Sequence, residues 1–268
     1  MDRLRFRSLA SGSSGNCYFL GTASYGILID AGIGIRTIRH FLRTMGLDFS
    51  NIWGLFITHD HADHIRAAGV IGEKHKVPVY TTKLIHNGIN KSYCVTQKLS
   101  TSQKFIEINE IVDIGDFRIK AFPVSHDATE NVGYNIEFKG KSFTFATDLG
   151  YVSLEAAEQL VNSDFMVLEA NYDDFMLENG PYPLHLQRRI KADTGHLSNL
   201  QTARFLTENF TDRWKYVFLC HLSRENNLPE LAYSTIVESL RNEEIDFEDK
   251  LQIVPLDRIN PSPMYLFD

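Results

Sequence analysis

Thr58-His59-Asp60-His61-Ala62-Asp63-His64 gathers three imidazoles and two carboxylates into seven residues, directly after the apolar run Ile52-Trp53-Gly54-Leu55-Phe56-Ile57. So dense a set of nitrogen and oxygen ligands at the mouth of a buried strand reads as a metal site. Imidazole suits zinc, iron or manganese, and a carboxylate can bridge two such ions or hold a water between them. The spacing His-x-His-x-Asp-His therefore points to two divalent ions. The plain alternative is a surface cluster in a chain with ten histidines, but polar clusters at strand ends lean toward function.

Working outward, 268 residues with 43% hydrophobic and 12% aromatic side chains can bury a full core. No apolar segment approaches the roughly 20 residues that cross a bilayer, and Met1-Asp2-Arg3-Leu4-Arg5 mixes charge with apolar residues instead of opening a secretory leader. A cytoplasmic protein with no membrane partner is the expectation. Cys17, Cys94 and Cys220 are an odd number without close pairing, which fits buried thiols in a reducing compartment. The formal charge of −7 argues against a surface that traps polyanions everywhere. Local basic stripes remain: Arg3, Arg5 and Arg7 alternate along a strand, while Arg36, Arg39 and Arg43 share a helix face. Solvated faces are their plain reading, and phosphate contact is the functional one.

Short strand-like runs fill the first third: Leu4 to Leu9, Tyr18 to Leu20, Gly26 to Asp30 and Ile52 to Ile57, with a helix over Ile35 to Met45. Ser11-Gly12-Ser13-Ser14-Gly15-Asn16 reads as a tight loop. A helix is expected over Ile65 to His75 and a strand at Val79-Tyr80. Later strands are expected at Phe117 to Pro123, Val132 to Phe138, Ser142 to Thr147, Phe165 to Leu168, Tyr216 to Leu219 and Leu251 to Val254, between helices near Leu154, Pro183, Asn199 and Pro229. This pattern predicts an α+β fold of layered sheets covered by helices. There is neither an internal repeat nor a linker, so residues 1–268 read as one domain.

One loop cannot ligate two metals. Three further groups stand first past an apolar strand: His126 after Phe117 to Pro123, Asp148 after Phe143-Thr144-Phe145-Ala146-Thr147, and His221 after Tyr216-Val217-Phe218-Leu219-Cys220. Each alone could be a hydrogen-bonded structural residue, a turn or a cap. Four strands ending in the same chemistry is harder to obtain by accident.

The order His-x-His-x-Asp-His, then His, Asp and His, resembles the metallo-β-lactamase superfamily, which implies a four-layered αβ/βα sandwich. Carried onto this chain, the resemblance implies His59, His61 and His126 on one metal, Asp63, His64 and His221 on the other, and Asp148 bridging both. Asp148 and His64 stand where true β-lactamases commonly use a cysteine or lack the second histidine, and His61 stands where flavodiiron oxidoreductases have an acidic residue. A hydrolase is therefore favoured over a redox enzyme. The loop from Ser11 to Asn16, Glu178-Asn179-Gly180-Pro181-Tyr182-Pro183, Gly195-His196-Leu197-Ser198-Asn199 and His221-Leu222-Ser223-Arg224-Glu225-Asn226-Asn227 are similar to the YycJ/WalJ/VicX family. That family is cytoplasmic and often encoded beside a cell-wall two-component system. Tyr172 stands where relatives often have His, which leaves any shared role of that position open.

The resemblance implies a phosphodiesterase, with DNA as substrate and exonucleolytic digestion from 5′ to 3′. Two ions about 3.5–4 Å apart can polarise a phosphoryl oxygen and lower the pKa of a shared water to about 7. Asp63 would orient that water. His196 would serve as general acid or phosphate clamp by the same resemblance, against a plain role beside a helix cap. Ser223, Arg224 and Asn226 are candidates to line a substrate groove, against a solvated loop. Asp30, which ends the strand from Gly26, is expected to orient a ligand histidine without touching a metal. Two other functions compete: hydrolysis of a small ester, thioester, lactam or cyclic phosphate, and a regulatory protein of the cell-wall pathway whose metal serves folding only.

Overall fold

The computed structural model describes residues 3–267. In chain order the strands are β1 (Leu4–Ala10), β2 (Cys17–Gly21), β3 (Gly26–Ile29), β4 (Ile52–Phe56), β5 (Val79–Thr81), β6 (Gln103–Phe105), β7 (Ile111–Ile114), β8 (Phe117–Pro123), β9 (Val132–Phe138), β10 (Lys141–Ala146), β11 (Phe165–Glu169), β12 (Tyr216–Cys220), β13 (Gln252–Pro255) and β14 (Tyr265–Phe267). The helices are α1 (Ile35–Thr44), α2 (Ala62–Ile65), α3 (Ala68–His75), α4 (Lys83–Lys91), α5 (Leu154–Val161), α6 (Asp174–Asn179), α7 (Leu184–Ile190), α8 (Asn199–Glu208) and α9 (Pro229–Asn242). Contacts divide the chain into two units, one of residues 1–115, 128–131 and 257–268, the other of residues 116–127 and 132–256.

In the first unit the strand order is β14-β1-β2-β3-β4-β5-β6. β14, β1, β2 and β3 are antiparallel neighbours, and β3 to β6 run parallel. Parallel neighbours need crossovers. These are α1 between β3 and β4, α2 with α3 between β4 and β5, and α4 between β5 and β6. β2 and β3 are buried at every residue, as continuous apolar strands covered on both faces should be. α1 buries Ile38 and Leu42 and exposes Arg36 and Arg43, the amphipathic pattern its spacing predicts.

The second unit follows the same logic. β8, β9 and β10 form an antiparallel meander, and β10, β11, β12 and β13 run parallel in that order. α5 connects β10 to β11, α6 to α8 connect β11 to β12, and α9 connects β12 to β13. Leu160, Leu206, Trp214, Leu219, Ile236 and Leu240 are among its core, and the buried Trp214 indole donates to Leu160 O at 3.0 Å. Cys17, Cys94 and Cys220 carry free thiols. Among the described residues no helix is long and apolar enough to cross a membrane.

Two local expectations need correction. The continuous helix over Ile65 to His75 is broken, because Ala31 pairs with the break: its N–H donates to His64 O at 2.7 Å and its carbonyl accepts from Ala67 N at 2.8 Å. α2 therefore ends at Ile65 and α3 starts at Ala68. α4 had no counterpart in the sequence reading. Its run Lys83-Leu84-Ile85-His86-Asn87-Gly88-Ile89-Asn90-Lys91 is poor in strong helix formers, and its start is fixed by Thr82, whose hydroxyl accepts from Ile85 N at 3.3 Å.

Candidate metal centre

In parallel sheets, functional groups gather past the carboxyl ends of the strands. Asp30 follows β3, the histidine motif follows β4, His126 follows β8, Asp148 follows β10 and His221 follows β12; Glu169 is the last residue of β11. Asp30, Asp148 and His221 hold positive φ values of 58°, 56° and 54°. The left-handed region is costly for residues with a Cβ, and Asp and His are among those that tolerate it best. Three chain reversals of this kind turn three polar side chains at the strand ends.

In the first unit Asp30 is completely buried. Its Oδ1 accepts from Thr58 N at 2.9 Å, and its Oδ2 accepts from His64 Nδ1 at 2.7 Å and from Thr58 Oγ1 at 3.0 Å. Since the Thr58 hydroxyl proton goes to Asp30, Thr58 Oγ1 is the acceptor for His59 Nδ1 at 3.0 Å. One carboxylate thus fixes the tautomer of His64 directly and of His59 through Thr58, leaving the lone pair of each on Nε2, where a metal would bind. The His59 ring lies 4.7 Å from that of His61 and 4.1 Å from that of His64, centroid to centroid. His64 Nε2 stands 3.6 Å from Asp63 Oδ2. This unit brings His59, His61, Asp63 and His64 together, with Asp30 behind them.

Asp60, the other carboxylate of the motif, turns away. It accepts from Thr129 N at 3.2 Å and from the Thr129 hydroxyl, and it lies against Gly88, where a Cβ would meet its Oδ2 at 1.8 Å. On the opposite flank, a Cβ on Gly32 would meet Asp63 O at 1.5 Å. The same carbonyl accepts from Asn16 N at 2.8 Å, which explains the work of the Gly- and Ser-rich loop. Asn16 Nδ2 also lies 3.0 Å from His64 Nε2.

In the second unit His126 Nδ1 donates to Gly195 O at 3.0 Å, which leaves its Nε2 toward Asp148 Oδ1 at 3.9 Å. His221 Nδ1 lies 3.1 Å from both Asp148 Oδ1 and Glu169 Oε1. Glu169 is fully buried and also accepts from His196 Nδ1 at 2.7 Å, Leu149 N at 2.9 Å and Leu197 N at 3.3 Å. One ligand atom each from Asp148, Glu169, His196 and His221 falls within 4.8 Å of the others. Burial pulls the His126 pKa below its ordinary value, favouring the neutral imidazole a metal requires. Burial acts the same way on His196, but the Glu169 carboxylate outweighs it and holds that pKa above the ordinary value. Burial would raise the Glu169 pKa, yet the adjacent His196 and His221 keep it well below the usual carboxylate range.

Glu169 is the residue the sequence reading missed. It obeys the rule that found His126, Asp148 and His221, being the first charged group at the end of an apolar strand. Asn171 was also missed; its Nδ2 donates to His221 O at 2.8 Å. Ser223 and Asn226 are buried, and the Ser223 hydroxyl accepts from Asn226 N at 3.3 Å, while Arg224 is exposed 3.4 Å from Glu225. Tyr172 is buried with Leu177 and Ile190, and its carbonyl accepts from Asn199 N at 2.8 Å, which places the start of α8.

Residues 25–214 match the Beta-lactamase superfamily domain. The chain is 32% identical to exodeoxyribonuclease YycJ of Bacillus anthracis over 260 residues, 97% of each chain. It is 37% identical to exodeoxyribonuclease WalJ of Streptococcus pneumoniae serotype 2 over 237 residues, 88% of each. Its fold is that of the metallo-β-lactamase fold protein YhfI from Bacillus subtilis, with a TM-score of 0.69 at 14% identity, covering 99% of this chain and 100% of the other. The chain has the α+β metallo-β-lactamase fold and belongs to the β-lactamase superfamily, in its YycJ/WalJ family.

Proposed function

We propose that this chain is a metal-dependent phosphodiesterase that degrades DNA as an exonuclease, from 5′ to 3′, and that residues 1–268 work as one metallo-β-lactamase-like domain. The observation that carries this reading is the near-full-length likeness to two proteins named exodeoxyribonuclease. The donor chemistry supports it. His59, His64 and His126 each commit Nδ1 to a hydrogen bond that leaves Nε2 basic, as metal-ligating imidazoles do.

On this reading His59, His61 and His126 would hold one divalent ion and Asp63, His64 and His221 the other, with Asp148 available to both. Zinc, manganese and iron all suit such nitrogen and oxygen donors. When bound, the pair supplies Lewis acidity toward a phosphoryl oxygen and toward the attacking water. Asp63 orients that water through its carboxylate. His196, with Nδ1 held by Glu169, presents Nε2 to give a proton to the leaving oxygen. Ser223, Arg224 and Asn226 are the segment we assign to substrate, beside His221. We place the protein in the cytoplasm, in functional association with a cell-wall two-component system.

The test is incubation of metal-loaded protein with end-labelled single- and double-stranded DNA and RNA. Stepwise loss of DNA label, abolished in Asp148→Ala, supports the reading. Turnover of bis(p-nitrophenyl) phosphate with no loss of DNA label overturns it in favour of a small substrate.

A further inference from the structure

Residues 31–76 carry six lysines and arginines against four acidic residues, in a chain whose net charge is −7. Within this segment the cations fall on or directly after the helices that flank the histidine motif. α1 contains Arg36, Arg39 and Arg43 and no acidic residue. Arg66 follows α2, and Lys74 and Lys76 lie at the end of α3. Arg36, Arg43, Arg66, Lys74 and Lys76 are exposed, and none of Arg36, Arg66, Lys74 and Lys76 forms an ion pair among the described residues. Arg39 Nη2 lies 3.0 Å from His75 Nε2, so the cations of α1 and α3 belong to one surface.

The nearby carboxylates are committed elsewhere. Asp48 accepts from Ser50 N at 2.7 Å, and Glu73 accepts from the backbone amides of Ser100, Thr101 and Ser102 at 2.8, 3.0 and 3.1 Å. Asp60 turns to Thr129, and Asp63 belongs to the ligand set. The patch also connects to the motif. Arg66 is two residues beyond His64, and α1 starts three residues after Gly32, which packs against the Asp63 carbonyl.

We propose that the exposed cations of α1, Arg66 after α2, and Lys74 and Lys76 at the end of α3 bind the sugar–phosphate backbone of the DNA substrate beyond the scissile bond, guiding the strand along a surface that begins at the histidine motif. This rests on the exonuclease reading. Charge complementarity selects the occupant: the net negative chain disfavours a polyanion coating the whole protein, so a strand is drawn to positive segments, of which this one is continuous with the histidine motif. The contacts are to phosphate and carry no base preference.

The test is fluorescence anisotropy of a labelled 20-nucleotide single strand against salt, with steady-state digestion of the same strand. Each lost phosphate contact lowers the salt slope by about 0.7, so Arg36→Gln/Arg43→Gln should lower it by about 1.4 and weaken binding about tenfold at 0.15 M salt. KM for DNA should rise with kcat within about twofold, because the contacts lie away from the reacting bond. Arg66→Gln/Lys74→Gln should behave alike, which guards against one pair failing to fold. Unchanged slope and KM in both pairs would overturn the proposal while leaving the exonuclease reading intact, as would loss of binding to anionic lipid vesicles but not to DNA. A wild-type protein that turns over bis(p-nitrophenyl) phosphate but no DNA would overturn the exonuclease reading first.

Discussion

The carboxylate of Asp30 accepts a hydrogen bond from His64 Nδ1 at 2.7 Å, in a place with no solvent access to either side chain. That contact decides which His64 nitrogen can bind a metal. Asp30→Asn keeps a side chain that tolerates the positive φ but replaces one of the two accepting oxygens with a donating NH2. Metal affinity should fall about 10- to 100-fold, as for other partners of ligating histidines. Competition with a chelator measures it, and an unchanged affinity would remove Asp30 from the account.

Glu169 ties His196 and His221 to one buried carboxylate. In Glu169→Gln the charge is lost while the shape remains. We expect kcat on DNA to drop about 10- to 100-fold, on the scale of losing the partner that orients a functional histidine, with KM nearly unchanged. A rise in KM alone would indicate a role in binding substrate instead.

Gly32 leaves no room for a side chain against the Asp63 carbonyl. Gly32→Ala must push the metal motif away from the loop that holds it. A loss of about 3 kcal/mol or more in chemical denaturation is expected, from overpacking at a point where backbone meets backbone. A stability within about 0.5 kcal/mol of wild type would show that the loop and motif move freely.

Glu73 receives three backbone amides and the Ser100, Thr101 and Ser102 hydroxyls. These bonds, led by the Ser100 amide, pull its pKa far below the ordinary value of 4.5. The unfolded chain therefore takes up this proton first as pH falls. The stability that Glu73 contributes is complete above about pH 4.5 and is lost progressively below it. Glu73→Ala should cost about 1–2 kcal/mol at pH 7 and show a shallower loss of stability from pH 4.5 downward. Denaturation midpoints across that range measure both effects, and parallel acid profiles in the two proteins would count against the assignment.

Much of this was legible in the sequence because the proposed ligands sit where apolar runs stop. His59 to His64 after β4, His126 after β8, Asp148 after β10 and His221 after β12 are all marked by an abrupt change from buried to polar residues. Glu169 carried the same mark, directly after the strand expected to end at Leu168, but it lacks the imidazole or aspartate that drew attention to the other strand ends. Contacts between distant segments had no such mark. The Gly88 and Asp60 approach, the Asn16 and Asp63 hydrogen bond and the seat of Glu73 on Ser100 to Ser102 each pair segments distant in sequence, and neither segment's own residues name the other. The split between α2 and α3 was hidden for the same reason, since its cause is Ala31, more than thirty positions upstream.

The central claim, a catalytic centre of two divalent ions, is tested most directly by titrating metal-stripped protein with manganese or zinc while following DNA digestion and bound metal together. Activity should be absent without metal and should rise to a plateau at two equivalents per chain, with His61→Ala and Asp148→Ala failing to reach it. Full activity in the stripped protein, or a plateau at one equivalent with no second ion bound, would contradict the account.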